Sequence, residues 1–285
     1  METQERKILV SVNIDFLKRA YFYFDKPVPF KVGKDEIKIS PVSLVDSELF
    51  LGCIDILTID KNIIPDPKII QMNYLQFICQ VQFLKESNVA KFVTIMEICL
   101  GLKNLAIKWE DQSSPIIVDQ TQNIEINHEQ FEDIKTIILN QNFAHYDDDY
   151  INPELKKAMQ EVDELKNKNI DPPTTERKMA IITSHTGMSK KEQQEMTYRS
   201  HVLLFEEVCG EVEYSAYKPI AVYGGKGEEI QWIYRKKKNR LDGYVTSVDS
   251  YAENMGGSQS IRQVQVENGV SETYMKQFNN FNQNN

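Results

Sequence analysis

The sequence is short of the groups on which most protein chemistry relies. It has four cysteines, four histidines and two tryptophans in 285 residues. Cys53, Cys79, Cys99 and Cys209 lie at least 20 residues apart, form no Cys-x-x-Cys pair and sit in apolar runs such as LQFICQVQF and IMEICLGL. They read as buried free thiols in a reducing cytoplasm. No apolar run reaches the roughly 18–20 residues that a bilayer-spanning helix needs. The opening METQERKILVSVN has no apolar stretch ahead of a small-residue cleavage site, so no secretion signal is expected. Positive charge is scarce too: 33 Lys and Arg face 42 Asp and Glu, a net charge of −9 and a pI near 5.1. A nucleic-acid binder needs a positive face, which here would have to be a local patch. The 41% hydrophobic and 26% charged content that remains is ordinary for a globular chain, long enough for two modest domains.

Catalytic motifs are begun and left incomplete. HEQFE at 128–132 opens like a zinc-protease helix, but Glu132 stands where the second histidine ligand belongs. Asp147, Asp148 and Asp149 lack the alternation, glycine and terminal glutamate of a calcium loop and read as a solvated acidic loop. GGKGEE at 224–229 has neither P-loop spacing nor a following apolar helix and reads as a hinge. His128, His145, His185 and His201 are scattered, with no nucleophile elbow or Cys/His signature beside them. The expectation is a non-enzymatic protein without metal or cofactor.

Patterning points to an α+β chain, predominantly helical, with small amino-terminal β elements, a helical carboxy-terminal half and a disordered tail. Strands are expected over 8–17 and 28–39, the latter turning at VGKDE. Helical periodicity covers 43–57, breaks at the two prolines of NIIPDP, and resumes over 69–86 and 89–101. LAIKW, PIIVD and NIEI suggest a small sheet within 105–126. Asn127 and Gln130 form a capping box for the next helix, and AHYDDDYINP reads as a loop. Pro153 suits the first turn of a helix over 153–167, with Leu155, Met159, Val162 and Leu165 as a narrow apolar stripe. NKNIDPPTT is a linker. Thr175 is a candidate cap for a helix ending at Gly187, and Ser189 with Glu192 boxes a short one. The expected division is 1–126, 127–255 and an Asn/Gln-rich tail over 256–285.

The stretch TSHTGMSKKEQQEMTYRSHVLLFEE, 183–207, has the helix–turn–helix–turn–helix order of a DNA reader. Its last helix, starting near Thr197, offers Tyr198, Arg199, Ser200 and His201 and then turns apolar. Glu206, Glu207, Glu211 and Glu213 follow, and phosphates would repel them. Tyr198, Val202, Phe205, Cys209, Val212 and Ala216 fall at spacings of 4, 3, 4, 3 and 4, a heptad-like stripe that must face something. A packed protein-binding corner is the favoured reading. Farther on, Arg235, Lys236, Lys237, Lys238 and Arg240 stand beside Trp232 and Tyr234. Cations ringing aromatic anchors compose a candidate partner-binding patch.

Several runs carry a resemblance: FLGCIDILTIDKNIIPDPKIIQMNYLQFI, INHEQFEDIKTIILNQN, DDDYINPELKKAMQEVDELKNKN, the 183–207 corner, YSAYKPIAVYGG and EIQWIYRKKKNRLDGYVTSVDSY. Together they resemble the accessory tail proteins of long-tailed bacteriophages of Gram-positive hosts, regarded as tail assembly chaperones. The resemblance implies a protein of the host cytoplasm that binds the tape-measure protein, or other tail proteins, during assembly and releases it around tube polymerisation. It implies no residue-level site; from charge and hydropathy no nucleic acid and no membrane are expected as partners, and an oligomer is left open. Two other readings stay open: a structural virion component of the tail or baseplate hub, and a helix-turn-helix DNA-binding regulator.

Overall fold

The computed structural model describes residues 12–111, 113–147, 153–169 and 171–223. The first described element is a helix where the end of a strand was expected. Asn13 accepts a hydrogen bond from the Phe16 amide at 3.0 Å and opens α1 (Ile14–Ala20), with Asp15 in its first turn and Lys18 and Arg19 in its last. Charges placed to match the helix dipole, with a cap, outweigh the period-two pattern over 12–17; the rest of the expected strand lies outside the described residues. Strands β1 (Val28–Val32) and β2 (Asp35–Ile39) form an antiparallel hairpin with Val32 opposite Asp35. The turn is therefore tighter than VGKDE. Gly33, at φ +61°, supplies the left-handed conformation that a two-residue turn requires.

The next helices are shorter than the periodicity suggested. The 43–57 pattern becomes α2 (Ser47–Cys53) and α3 (Asp55–Thr58). Pro67 opens α4 (Pro67–Gln71), and Asn73 caps α5 (Tyr74–Gln80), so the expected 69–86 helix is interrupted at 72–73. Helix α6 (Glu86–Leu100) ends at Gly101, φ +69°. A second antiparallel sheet follows as a meander, β3 (Leu105–Trp109), β4 (Pro115–Asp119) and β5 (Ile124–Ile126). Asp119, 1% exposed, anchors its turns by accepting from the amides of Lys103, Thr121 and Gln122. Burial works against its charge, but those backbone donors outweigh it and hold the carboxyl below its ordinary range.

The capping box at Asn127 and Gln130 forms as expected and starts α7 (His128–Asn142). This helix is the centre of the core. Phe131, Ile134, Ile137, Ile138 and Leu139 are all within 1% of complete burial, in one cluster with Phe50, Phe77, Ile78, Phe92 and Ile39. The cluster runs from Phe22 to Leu139 and continues past residue 126. Helix α8 (Pro153–Asn167) spans the expected residues, with Leu155, Met159 and Val162 half-buried and Leu165 exposed. Three further helices follow among the described residues: α9 (Thr175–Thr186), α10 (Lys190–Gln194) and α11 (Tyr198–Val222). Thr174, not Thr175, caps α9, its hydroxyl accepting from the Arg177 amide at 3.3 Å. Among the described residues no helix is long and apolar enough to cross a membrane.

Burial ranks the aromatic side chains. Phe131→Ala should cost about 3–5 kcal/mol in denaturant unfolding, because its ring is enclosed beside Phe92 at 5.8 Å. Phe205→Ala, at a half-buried position on α11, should cost under about 2 kcal/mol.

Candidate functional site

The corner formed by α9, α10 and α11 is organised from within. Gln193 is fully buried, and its amide donates to the Met179 carbonyl at 3.1 Å, the Thr183 hydroxyl at 2.9 Å and the Met188 carbonyl at 3.3 Å. One side chain thus ties the short helix to α9 and to the turn at Gly187. The Ser189–Glu192 capping box fixes the start of α10.

The amino-terminal end of α11 faces the body of the protein. Leu44 donates its amide to the Met196 carbonyl, and Tyr198 donates its own to Val42 at 2.8 Å. Asp25, in the left-handed region at φ 53°, accepts from the Thr197 hydroxyl and the Ser200 hydroxyl, both at 2.7 Å. Arg199 is 6% exposed and donates to the Asn140 carbonyl at 3.0 Å. His201 is 1% exposed, and its Nε2 has no hydrogen-bond partner. Tyr198 packs edge-on against Phe143. The side chains that would meet base edges in a DNA reader are therefore engaged in packing and caps.

The apolar stripe divides in two. Val208 is buried, while Tyr198, Val202, Phe205 and Cys209 are half-buried along the stretch that meets α9 and α7. Beyond Gly210 the same stripe is open: Val212 is 42% and Tyr217 52% exposed, and Ala216 is exposed. A shallow groove of about 390 Å³ lies on this distal half, lined by Tyr214, Ser215, Lys218, Pro219 and Tyr223. Twenty-five residues at about 1.5 Å each make α11 roughly 37 Å long. Its second half presents an apolar strip flanked by Glu211 and Glu213.

The other candidate residues are dispersed. Glu132 pairs with Lys135 at 2.7 Å, and His145 meets Glu206 at 3.0 Å. Among the described residues no three His, Cys, Asp or Glu side chains gather as metal ligands would. All four cysteines are free thiols; Cys53 and Cys99 are buried, Cys79 and Cys209 half-buried. Burial pushes the Cys79 and Cys99 thiols up to about 12. Trp232, Tyr234, Arg235, Lys236, Lys237, Lys238 and Arg240 lie outside the described residues, as do Asp148, Asp149 and GGKGEE. Sequence reasoning missed Asp25 and the run Asn140–Gln141–Asn142. Nothing local marks a lone aspartate after an aromatic run as the acceptor for a helix 172 residues on. No known family model, curated protein or solved structure matches the chain.

The buried imidazole makes the corner sensitive to acid. Burial first, and then the Lys178 ammonium, push His201 below its ordinary 6.5, so the folded chain holds it neutral. The unfolded chain takes up that proton as pH falls through about 6.5. Stability owed to the neutral ring is complete above that pH and is lost as pH falls towards the folded pKa. Denaturant midpoints at about pH 7.5 and about pH 5.5 should separate more for the wild type than for His201→Gln. Equal separations would remove His201 from the account.

Proposed function

We propose that this chain is a non-enzymatic assembly factor of long-tailed bacteriophages that binds the tape-measure protein during tail morphogenesis. The supporting observation is the division of α11. Its first half is spent on the chain's own core, and its second half carries the same apolar stripe with nothing against it among the described residues. An exposed helical strip with anchors at Val212, Ala216 and Tyr217 suits docking of an amphipathic helix, the form a long tape-measure chain offers. The basic aromatic segment, with Trp232 and Tyr234 among Arg235, Lys236, Lys237, Lys238 and Arg240, supplies charge attraction for an acidic helical partner. The engaged state of Arg199 and His201 weighs against the DNA-regulator alternative. Retention in purified particles, read by mass spectrometry, distinguishes a structural component from a factor that is released.

Co-expression with a tape-measure protein of a long-tailed bacteriophage tests the reading. The wild-type chain should co-purify with that protein, and Val212→Asp with Tyr217→Asp should abolish the complex while leaving the unfolding midpoint within about 0.5 kcal/mol of wild type. Replacing Lys236, Lys237 and Lys238 with glutamate should slow association and remove its salt dependence, whereas Trp232→Ala should speed dissociation. A wild-type chain that fails to co-purify, or variants that bind as wild type does, would overturn it.

A further inference from the structure

Among the described residues the β3 edge of the meander β3–β4–β5 is open. Glu110 donates its amide to the Ser114 carbonyl, and Gln120 donates to the Asn104 carbonyl. With Lys108 opposite Ile116 and Ala106 opposite Val118, the even-numbered residues of β3 therefore bond to β4. The backbone donors and acceptors of Leu105, Ile107 and Trp109 point the other way. Among the described residues no strand lies beside them. Natural sheets usually blunt such an edge with proline, a bulge or a guarding lysine. Here the one lysine of β3, Lys108, is turned to the outer face, where it pairs with Glu125 at 3.2 Å.

We propose that β3 pairs antiparallel with β3 of a second copy of this chain, about a twofold axis at Ile107, joining the two meanders into one six-stranded sheet. The register is self-complementary. Ile107 faces itself, Leu105 of one copy faces Trp109 of the other, and all three outward-pointing residues gain a ladder partner. Two residues farther out, Lys103 of one copy falls opposite Asp111 of the other, twice per dimer. Both are exposed; Lys103 lies 3.7 Å from Glu97, and Asp111 caps its own turn by accepting from the Ser113 amide. Trp109, 40% exposed, and Asp111 also line an open groove of about 750 Å³ with Gln76, Gln80 and Ser113. Lys103 of the second copy has the same facing as Trp109 and would enter that groove, between an aromatic ring and a carboxylate. Edge pairing buries little area, so the dimer is a concentration-dependent one. It uses no residue of α11 and does not rest on the tape-measure reading.

Sedimentation velocity over a concentration series tests the register. The wild-type chain should pass from monomer to dimer. Lys103→Glu should raise the dissociation constant at least about tenfold, because two carboxylates then face each other at both ends. Asp111→Lys should do the same with two ammonium groups. An equimolar mixture of the two variants should recover wild-type association, since the heterodimer restores opposite charges at both ends. A wild type that stays monomeric throughout overturns the proposal. So does Lys103→Glu dimerising as wild type does, an outcome independent of how the Asp111→Lys chain folds. A mixture of folded variants that associates no better than either alone also overturns it.

Discussion

The rest of the structure depends on the polar last turn of α7. Asn140, Gln141 and Asn142 are nearly completely buried, although they close a helix whose last carbonyls would otherwise need water. Burial of three side-chain amides is tolerable because the nitrogen of each donates to a backbone carbonyl, although Gln141 Oε1 is left unpaired. Asn142 accepts from the Val42 amide at 2.8 Å and donates to Ile138 at 2.9 Å. Gln141 donates to the Lys26 carbonyl at 3.2 Å, and the Asn140 carbonyl receives Arg199. One helix end thereby joins the β1–β2 hairpin, the segment before α2 and the start of α11. An apolar helix end could bury as much surface but would not define which chains meet there, because hydrophobic contact is not directional.

The docking of α11 follows from that junction. Val42 bonds α7 through its amide and α11 through its carbonyl, so the segment 42–44 serves as a short rail between them. Asp25 reaches the same place from the other side, with two hydroxyls of α11 on its carboxylate. The hydrogen bonds that tie α11 to α7, to Asp25 and to the 42–44 segment lie in its first turn. Past Gly210, and again at Pro219, the helix loses intrinsic stability, through backbone freedom at the glycine and a missing amide at the proline. A helix fixed at one end and weakened beyond it is suited to adjusting to a partner.

Much of this was legible in the sequence because it is local. Caps at Asn127 and Ser189, the glycine end at Gly187, and the small sheet within 105–126 are each written within a few residues. The errors were local rules overruled at close range. Period-two alternation suggested a strand over 8–17, and Asn13 with well-placed charges made its last residues a helix. Thr174 and Thr175 are equivalent cap candidates by type, and the backbone chose the first. The heptad-like stripe on α11 was correctly apolar, but periodicity cannot tell where packing stops, and burial ends near Cys209. The Asp25 and Asn142 contacts span 100 residues or more and had no local signal at all.

Hydrogen exchange of the free chain, read by mass spectrometry along α11, tests the central claim most directly. Amides of 202–209 should exchange only through opening of the whole core, because they ride on the junction with α7. Those of 213–222 should exchange orders of magnitude faster, as a helix with little packed against it does. Equal protection along the whole of α11 would contradict the account, since it would mean that the distal half already has a partner within the chain.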